Sequence, residues 1–95
     1  MQSIGAVWRI VVKSSAAKEL ALLGNKQDRL RIVQAIASLA HNPRPPGCEK
    51  LSGQTDLYRV RIGSFRVVYE IVDQVLLVTV IKMGHRKNIY QKLQK

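Results

Sequence analysis

The sequence is short of acid, nearly without cysteine, and lacks any long apolar run, and each shortage removes a class of protein. Six Asp and Glu stand against sixteen Lys and Arg, a formal charge of +10 on 95 residues. For so small a body that is a dense positive field, and a polyanion is its natural partner. Cys48 is the single cysteine, so no intramolecular disulfide can form and no Cys and His cluster for zinc is available. No metal or cofactor is expected, and a reducing cytoplasm fits this cysteine usage. The longest apolar run, Val75 to Ile81, is broken by Thr79 and falls far short of the roughly 20 residues that a membrane span needs. Met1 to Lys13 lacks the charged start, apolar stretch and cleavage site of a secretory signal. Neither membrane insertion nor export is expected. Internal repeats and low-complexity tracts are also missing.

What is present suffices for one packed core. The hydrophobic fraction is 46%, well above that of a disordered basic tail, and a chain of this length supports a single domain, 1–95. From Val75 to Lys95 there is no acidic residue, while Lys82, Arg86, Lys87, Lys92 and Lys95 fall there.

Val7 to Lys13 alternates with Trp8, Ile10 and Val12 on one apolar side, which predicts a strand. Ser14 or Ser15 is placed to cap a short helix through Leu23, with Ala16, Leu20 and Leu23 on one face and Gly24 as the stop. Asn25 reads as the cap of a second helix, from about Lys26 to His41, with Asp28 near its positive end. Leu30, Val33, Ala37 and Ala40 form its apolar stripe, with Ile36 beside it. Asn42 to Gly53 holds all three prolines and predicts an ordered surface connection. Three strands follow between Asp56 and Lys82, with Gly63 and Ser64 as a two-residue turn of the kind that needs Gly first. The second turn, around Asp73 and Gln74, has no Gly to fix its register. A short helix from Arg86 to about Leu93 is expected to end the fold. His41, Trp8 and Cys48 carry no expected function: a helix end, a core ring and a bystander thiol.

A tight turn at Gly63 and Ser64 sorts the side chains by itself. Ile62 faces Phe65, Arg61 faces Arg66, Val60 faces Val67, Arg59 faces Val68 and Tyr58 faces Tyr69. Tyr58, Val60, Ile62, Phe65, Val67, Tyr69 and Ile71 then share an apolar side for the two helices to cover, and Arg59, Arg61 and Arg66 share the other. Like charges opposite one another cost stability, by up to about 1 kcal/mol at an ordinary pair. Folding does not ask for them; a phosphate does, because guanidinium forks bind its oxygens with paired, charge-assisted hydrogen bonds. Glu70 falls on the same side, placed to brace Arg59 or Arg66 or to act as a base, with bracing favoured. Val68, Val72, Leu77 and Ile81 are expected to show there as an exposed strip suited to a partner segment that folds on binding, its acidic side chains meeting the arginines.

The order of elements resembles the RelE/ParE toxin superfamily of type II toxin–antitoxin systems, in its RelE-like branch, over nearly the whole chain. The stretches that carry the resemblance are Asn42, Pro43 and Arg44; Leu51 to Gly53; Tyr58, Arg59, Val60 and Arg61; Gly63 to Glu70; and Gly84, His85 and Arg86 with Tyr90. It implies an α+β fold, β-α-α-β-β-β-α, with a four-stranded, mainly antiparallel sheet, two N-terminal helices on one face and a short C-terminal helix. It also implies an endoribonuclease, an mRNA interferase that enters the ribosomal A site beside ribosomal RNA. Such an enzyme cuts messenger RNA without a metal, the ribose 2′-hydroxyl attacking the adjacent phosphate. Arg66 matches the family's arginine that stabilises the phosphorane, Arg86 the arginine near the leaving oxygen, and Tyr90 the terminal-helix tyrosine that contacts the nucleotide. Its spacing from Arg86 is shorter than in the best-known member, and Arg59 and Arg61 stand where that member has lysines. Arginine cannot readily surrender a proton, so the general base is open between His85, a residue type that accepts protons near neutrality and that cationic neighbours would favour in its neutral form, and no dedicated base at all. The implied partners are a cognate antitoxin and, through the antitoxin complex, operator DNA. Two other functions fit the same scaffold: a ParE-type inhibitor of DNA gyrase, and a nuclease-inactive corepressor.

Overall fold

A computed structural model describes residues 7–51, 53 and 56–85 of the chain. The elements run β1 (Arg9–Val12), α1 (Ser14–Ala21), α2 (Lys26–Ser38), β2 (Glu49–Lys50), β3 (Leu57–Ile62), β4 (Phe65–Val72) and β5 (Leu77–His85). The sheet order is β1-β5-β4-β3-β2. The fold is α+β as expected, but among the described residues the sheet has five strands rather than four: β2, two residues long, pairs antiparallel with β3. β1 pairs parallel with β5, Arg9 beside Leu77 and Val12 beside Val80. Among the described residues no helix is long and apolar enough to cross a membrane. The terminal helix expected over Arg86 to Leu93 lies outside the described residues.

The first hairpin takes the expected register at every pair from Tyr58↔Tyr69 to Ile62↔Phe65. Gly63 has a φ of +61°, a backbone state that glycine enters without the Cβ penalty. The apolar side forms the core: Val67, Tyr69, Ile71, Val78, Val80 and Met83 pack under α1 and α2, with Val60, Ile62 and Phe65 at the margin. Burying each such side chain favours folding by about 1.5–3 kcal/mol before entropy is set against it.

The helices depart from expectation in three ways. Neither serine caps α1: its N-cap is Lys13, with no side-chain bond, and Ser14 lies inside the first turn. Asn25 does cap α2, its Oδ1 accepting from the Asp28 N–H at 3.0 Å. α2 ends at Ser38 because the next residues tighten into three-residue bonds, Leu39 to Ile36, Ala40 to Ala37 and His41 to Ser38. Its buried face is Ile32, Ile36 and Leu39, while Leu30 and Val33 are 50% and 46% exposed. Two apolar stripes about 100° apart repeat equally well on this helix, and the sheet accepts the one with two isoleucines.

The second hairpin turns through a short 3₁₀ segment, Asp73–Val75, and Leu76 in the left-handed region at φ +51°. A bulge follows: Val68 pairs with Lys82 but Tyr69 with Val80, so Ile81 is the extra residue. The expected exposed strip is therefore not one. Val68 is fully buried, and Val72, Leu77 and Ile81 are half-buried.

Beyond Val80 the outer edge of β5 has no strand partner in β1, and α1 covers it. Glu19 Oε1 accepts the Met83 backbone N–H at 3.2 Å, while Glu19 Oε2 pairs with Lys82 at 3.1 Å. One side chain thus stands in for a missing strand.

Candidate functional site

The arginine side of the first hairpin opens into a cleft of about 490 Å³, lined by Pro46, Gly47, Glu49, Arg59, Val60, Arg61, Gly63 and Arg66. Its floor is β3 and β4. Arg61 and Arg66 are directly opposed, one pair beyond the turn-closing pair Ile62↔Phe65, the type of pair in which side chains lie closest. Arg59 sits two residues back on the same side, opposite Val68.

One wall is the proline-rich connection, and an arginine holds it in place. Arg44 Nε donates to the Tyr58 hydroxyl at 3.1 Å, its Nη2 pairs with Asp73 at 3.0 Å, and its guanidinium lies 5.1 Å from the centre of the Tyr58 ring. The Asp73 bonds, then the Tyr58 bond, hold the guanidinium even more firmly protonated than usual. Tyr58 stacks on Tyr69, whose hydroxyl donates to the Pro43 carbonyl at 2.8 Å. Burial, with help from the neighbouring Cys48, raises the Tyr69 phenol above its ordinary value and keeps it a donor. The Asn42, Pro43, Arg44 run is thus a clamp that seats Pro46 and Gly47 at the cleft.

Inside the cleft Arg59 is paired with Glu49 of β2, its Nε donating to Oε1 at 2.9 Å and its Nη2 reaching the same oxygen. The carboxylate expected to brace Arg59 was Glu70, from the next strand; the one that does so is Glu49, from the strand on the other side. A two-residue strand is below what alternation can reveal, so only the acid before Lys50 and Leu51 hinted at it. Arg61 Nε makes a long bond to the Gly63 carbonyl, 3.4 Å. Arg66 is half-buried beside it.

The structure gathers Arg59, Arg61 and Arg66, and sets His85 apart. His85 is the last residue of β5 and pairs with Phe65, its ring edge-on to the Phe65 ring at 5.9 Å. Arg66 pairs with Gly84, so His85 turns to the helix side of the sheet, opposite the arginines. Arg86 and Tyr90 lie outside the described residues. Among the described residues no three His, Cys, Asp or Glu gather as metal ligands. What the cleft can do is bind a phosphate: fixed cations surround it, and the Glu49 carboxylate already occupies one fork as an anion would.

Residues 10–90 match the model of the ParE toxin of type II toxin–antitoxin systems. The chain is 31% identical over 74 residues to the mRNA interferase toxin RelE of Escherichia coli K12, covering 76% of each. Its structure is similar to a chain of the archaeal RelE-RelB complex of Pyrococcus horikoshii, with a TM-score of 0.75, 27% identity and coverage of 84% of this chain and 96% of that one. The intact RelBE complex of E. coli contains a chain similar at a TM-score of 0.70 and 28% identity, with 82% of this chain and 95% of that one covered.

Proposed function

The chain belongs to the RelE/ParE superfamily of type II toxins, and from that premise we propose that it is a single-domain, cytoplasmic endoribonuclease that cuts messenger RNA in the ribosomal A site. The observation that carries this proposal is the opposed pair Arg61 and Arg66, beside Arg59, in one cleft. Such a cluster costs stability without an anion and suits a scissile phosphate.

In the proposed reaction the ribose 2′-oxygen attacks the adjacent phosphorus, the bond from phosphorus to the 5′-oxygen breaks, and a 2′,3′-cyclic phosphate remains. The 2′-hydroxyl proton goes to solvent or a ribosomal group, and the departing 5′-oxygen takes one up. Arg66 neutralises the charge on the phosphorane and Arg61 and Arg59 hold the flanking backbone. Arg86 acts near the leaving oxygen and Tyr90 against a base, on the family resemblance. With His85 packed on Phe65, positioning and charge neutralisation supply the rate, without a dedicated base on the toxin.

The similar chains from P. horikoshii and E. coli occur in complexes with RelB, which supports an antitoxin partner here. With Val68 buried, that partner meets a charged cleft rather than an apolar strip, and acidic side chains on it would occupy the arginine forks.

The test is induction in cells with RNA ends mapped by primer extension, beside an assay for gyrase-linked DNA breaks. Cuts within translated messages that vanish with Arg66→Ala are expected. DNA breaks without message cleavage would replace the proposal with the gyrase-inhibitor function.

A further inference from the structure

Two guanidinium groups converge on Gly63 from different elements. Arg61, on the cleft side, donates to its carbonyl at 3.4 Å. Arg31, from α2, lays its guanidinium on the turn: a Cβ at Gly63 would stand 3.3 Å from both Arg31 Nη1 and Nη2. The positive φ is what calls for a glycine here, and the bare Cα leaves Arg31 room to lie close to the turn. Arg31 is exposed and lies just outside the cleft.

Neither arginine has a counterion among the described residues, and all six Asp and Glu side chains are among them. Glu19, Glu49, Asp56 and Asp73 pair with Lys82, Arg59, Lys50 and Arg44. Asp28, three residues before Arg31 on α2, is spaced for a helical ion pair yet makes none; its backbone N–H serves the Asn25 cap. Glu70 makes none either. The hairpin tip thus holds two uncompensated cations against one backbone, an arrangement that an incoming anion stabilises.

We propose that Arg31 and Arg61 form a clamp for a second backbone phosphate of the RNA, next to the one in the cleft, so that the strand leaves over the hairpin tip toward α2. This rests on the RNA-binding role of the cleft. The clamp reads no base; it adds affinity and direction.

The test uses the full chain and a short single-stranded RNA with 2′-O-methyl riboses, which binds but cannot be cut, titrated across a range of salt. Arg31→Ala is expected to weaken binding about fivefold to tenfold at low salt and to reduce the slope of log K against log salt by about 0.7. Arg31→Lys is expected to restore that slope, since a phosphate accepts either cation. On programmed ribosomes the loss should appear in the half-saturating concentration of toxin, and the thermal midpoint should not fall. An unchanged slope, a lysine variant no better than alanine, or a loss confined to binding of an acidic antitoxin segment would each overturn the clamp. Because the RNA is uncuttable, a wild-type chain that binds it but cleaves no message defeats the ribonuclease proposal and leaves the clamp standing.

Discussion

Arg59 is gripped by one oxygen of Glu49, which reaches it from the neighbouring strand and takes both its Nε and its Nη2. The carboxylate fills the fork that a phosphate oxygen would use, so substrate and Glu49 compete for the same donors. Glu49→Gln is expected to tighten single-stranded RNA binding about threefold to tenfold at low ionic strength. The gain should fade toward 1 M salt, where the screening length is about 3 Å. Anisotropy titrations check this; equal affinities at every salt concentration would show that the two do not compete.

Arg61 and Arg66 face each other where cross-strand side chains are closest. Replacing Arg61 by threonine, a good strand former, should therefore raise the urea midpoint, by up to about 1 kcal/mol of stability, while RNA affinity falls. Opposite signs for folding and binding are the signature of a cation placed for a ligand. A variant that loses both would make Arg61 a structural residue.

Tyr69 links burial to alkaline stability. Burial raises its phenol above the ordinary value of about 10, so its contribution is complete below that pH and is lost as the pH rises toward the folded-state value. Tyr69→Phe forfeits the hydrogen bond to Pro43 and should be about 1 kcal/mol less stable near neutrality. Above pH 10 the gap should close. Thermal midpoints of both proteins from pH 7 to 11 supply the comparison, and parallel curves would contradict the assignment.

Glu19 performs two tasks, and two substitutions separate them. Glu19→Ala leaves the Met83 N–H without its acceptor and Lys82 without its partner, at side chains only 17% and 18% exposed. A loss of about 1–3 kcal/mol is expected. Glu19→Gln keeps an acceptor and should recover most of it in chemical denaturation. If both variants lose equally, the ion pair rather than the edge bond carries the effect.

The hairpin was legible in the sequence because one chemical rule governs it: Gly63 sets the turn, the turn sets the phase, and the phase divides Tyr58 and Tyr69 from Arg59, Arg61 and Arg66. The Asn25 cap was legible for a similar reason, a side chain bonding its own neighbourhood. Contacts made at long range were not. Glu49 meets Arg59 through a strand too short to alternate, and Ile32 displaced Leu30 because the sheet, not the helix, chooses which stripe to bury. The bulge at Ile81 moves every later residue of β5 across the sheet, so the pairing of His85 with Phe65 could not be read from alternation. Arg31 gave no local sign at all, since its neighbour Gly63 is distant in sequence.

The parallel pairing of β1 with β5 joins the first strand among the described residues to the last. During synthesis β1 emerges early and waits, its edge unmatched, until the residues of β5 have been made. A product cut short before Leu77 leaves that strand orphaned and β4 bare along one side. Termination before β5 therefore yields no smaller version of the fold, only a chain unable to close its sheet.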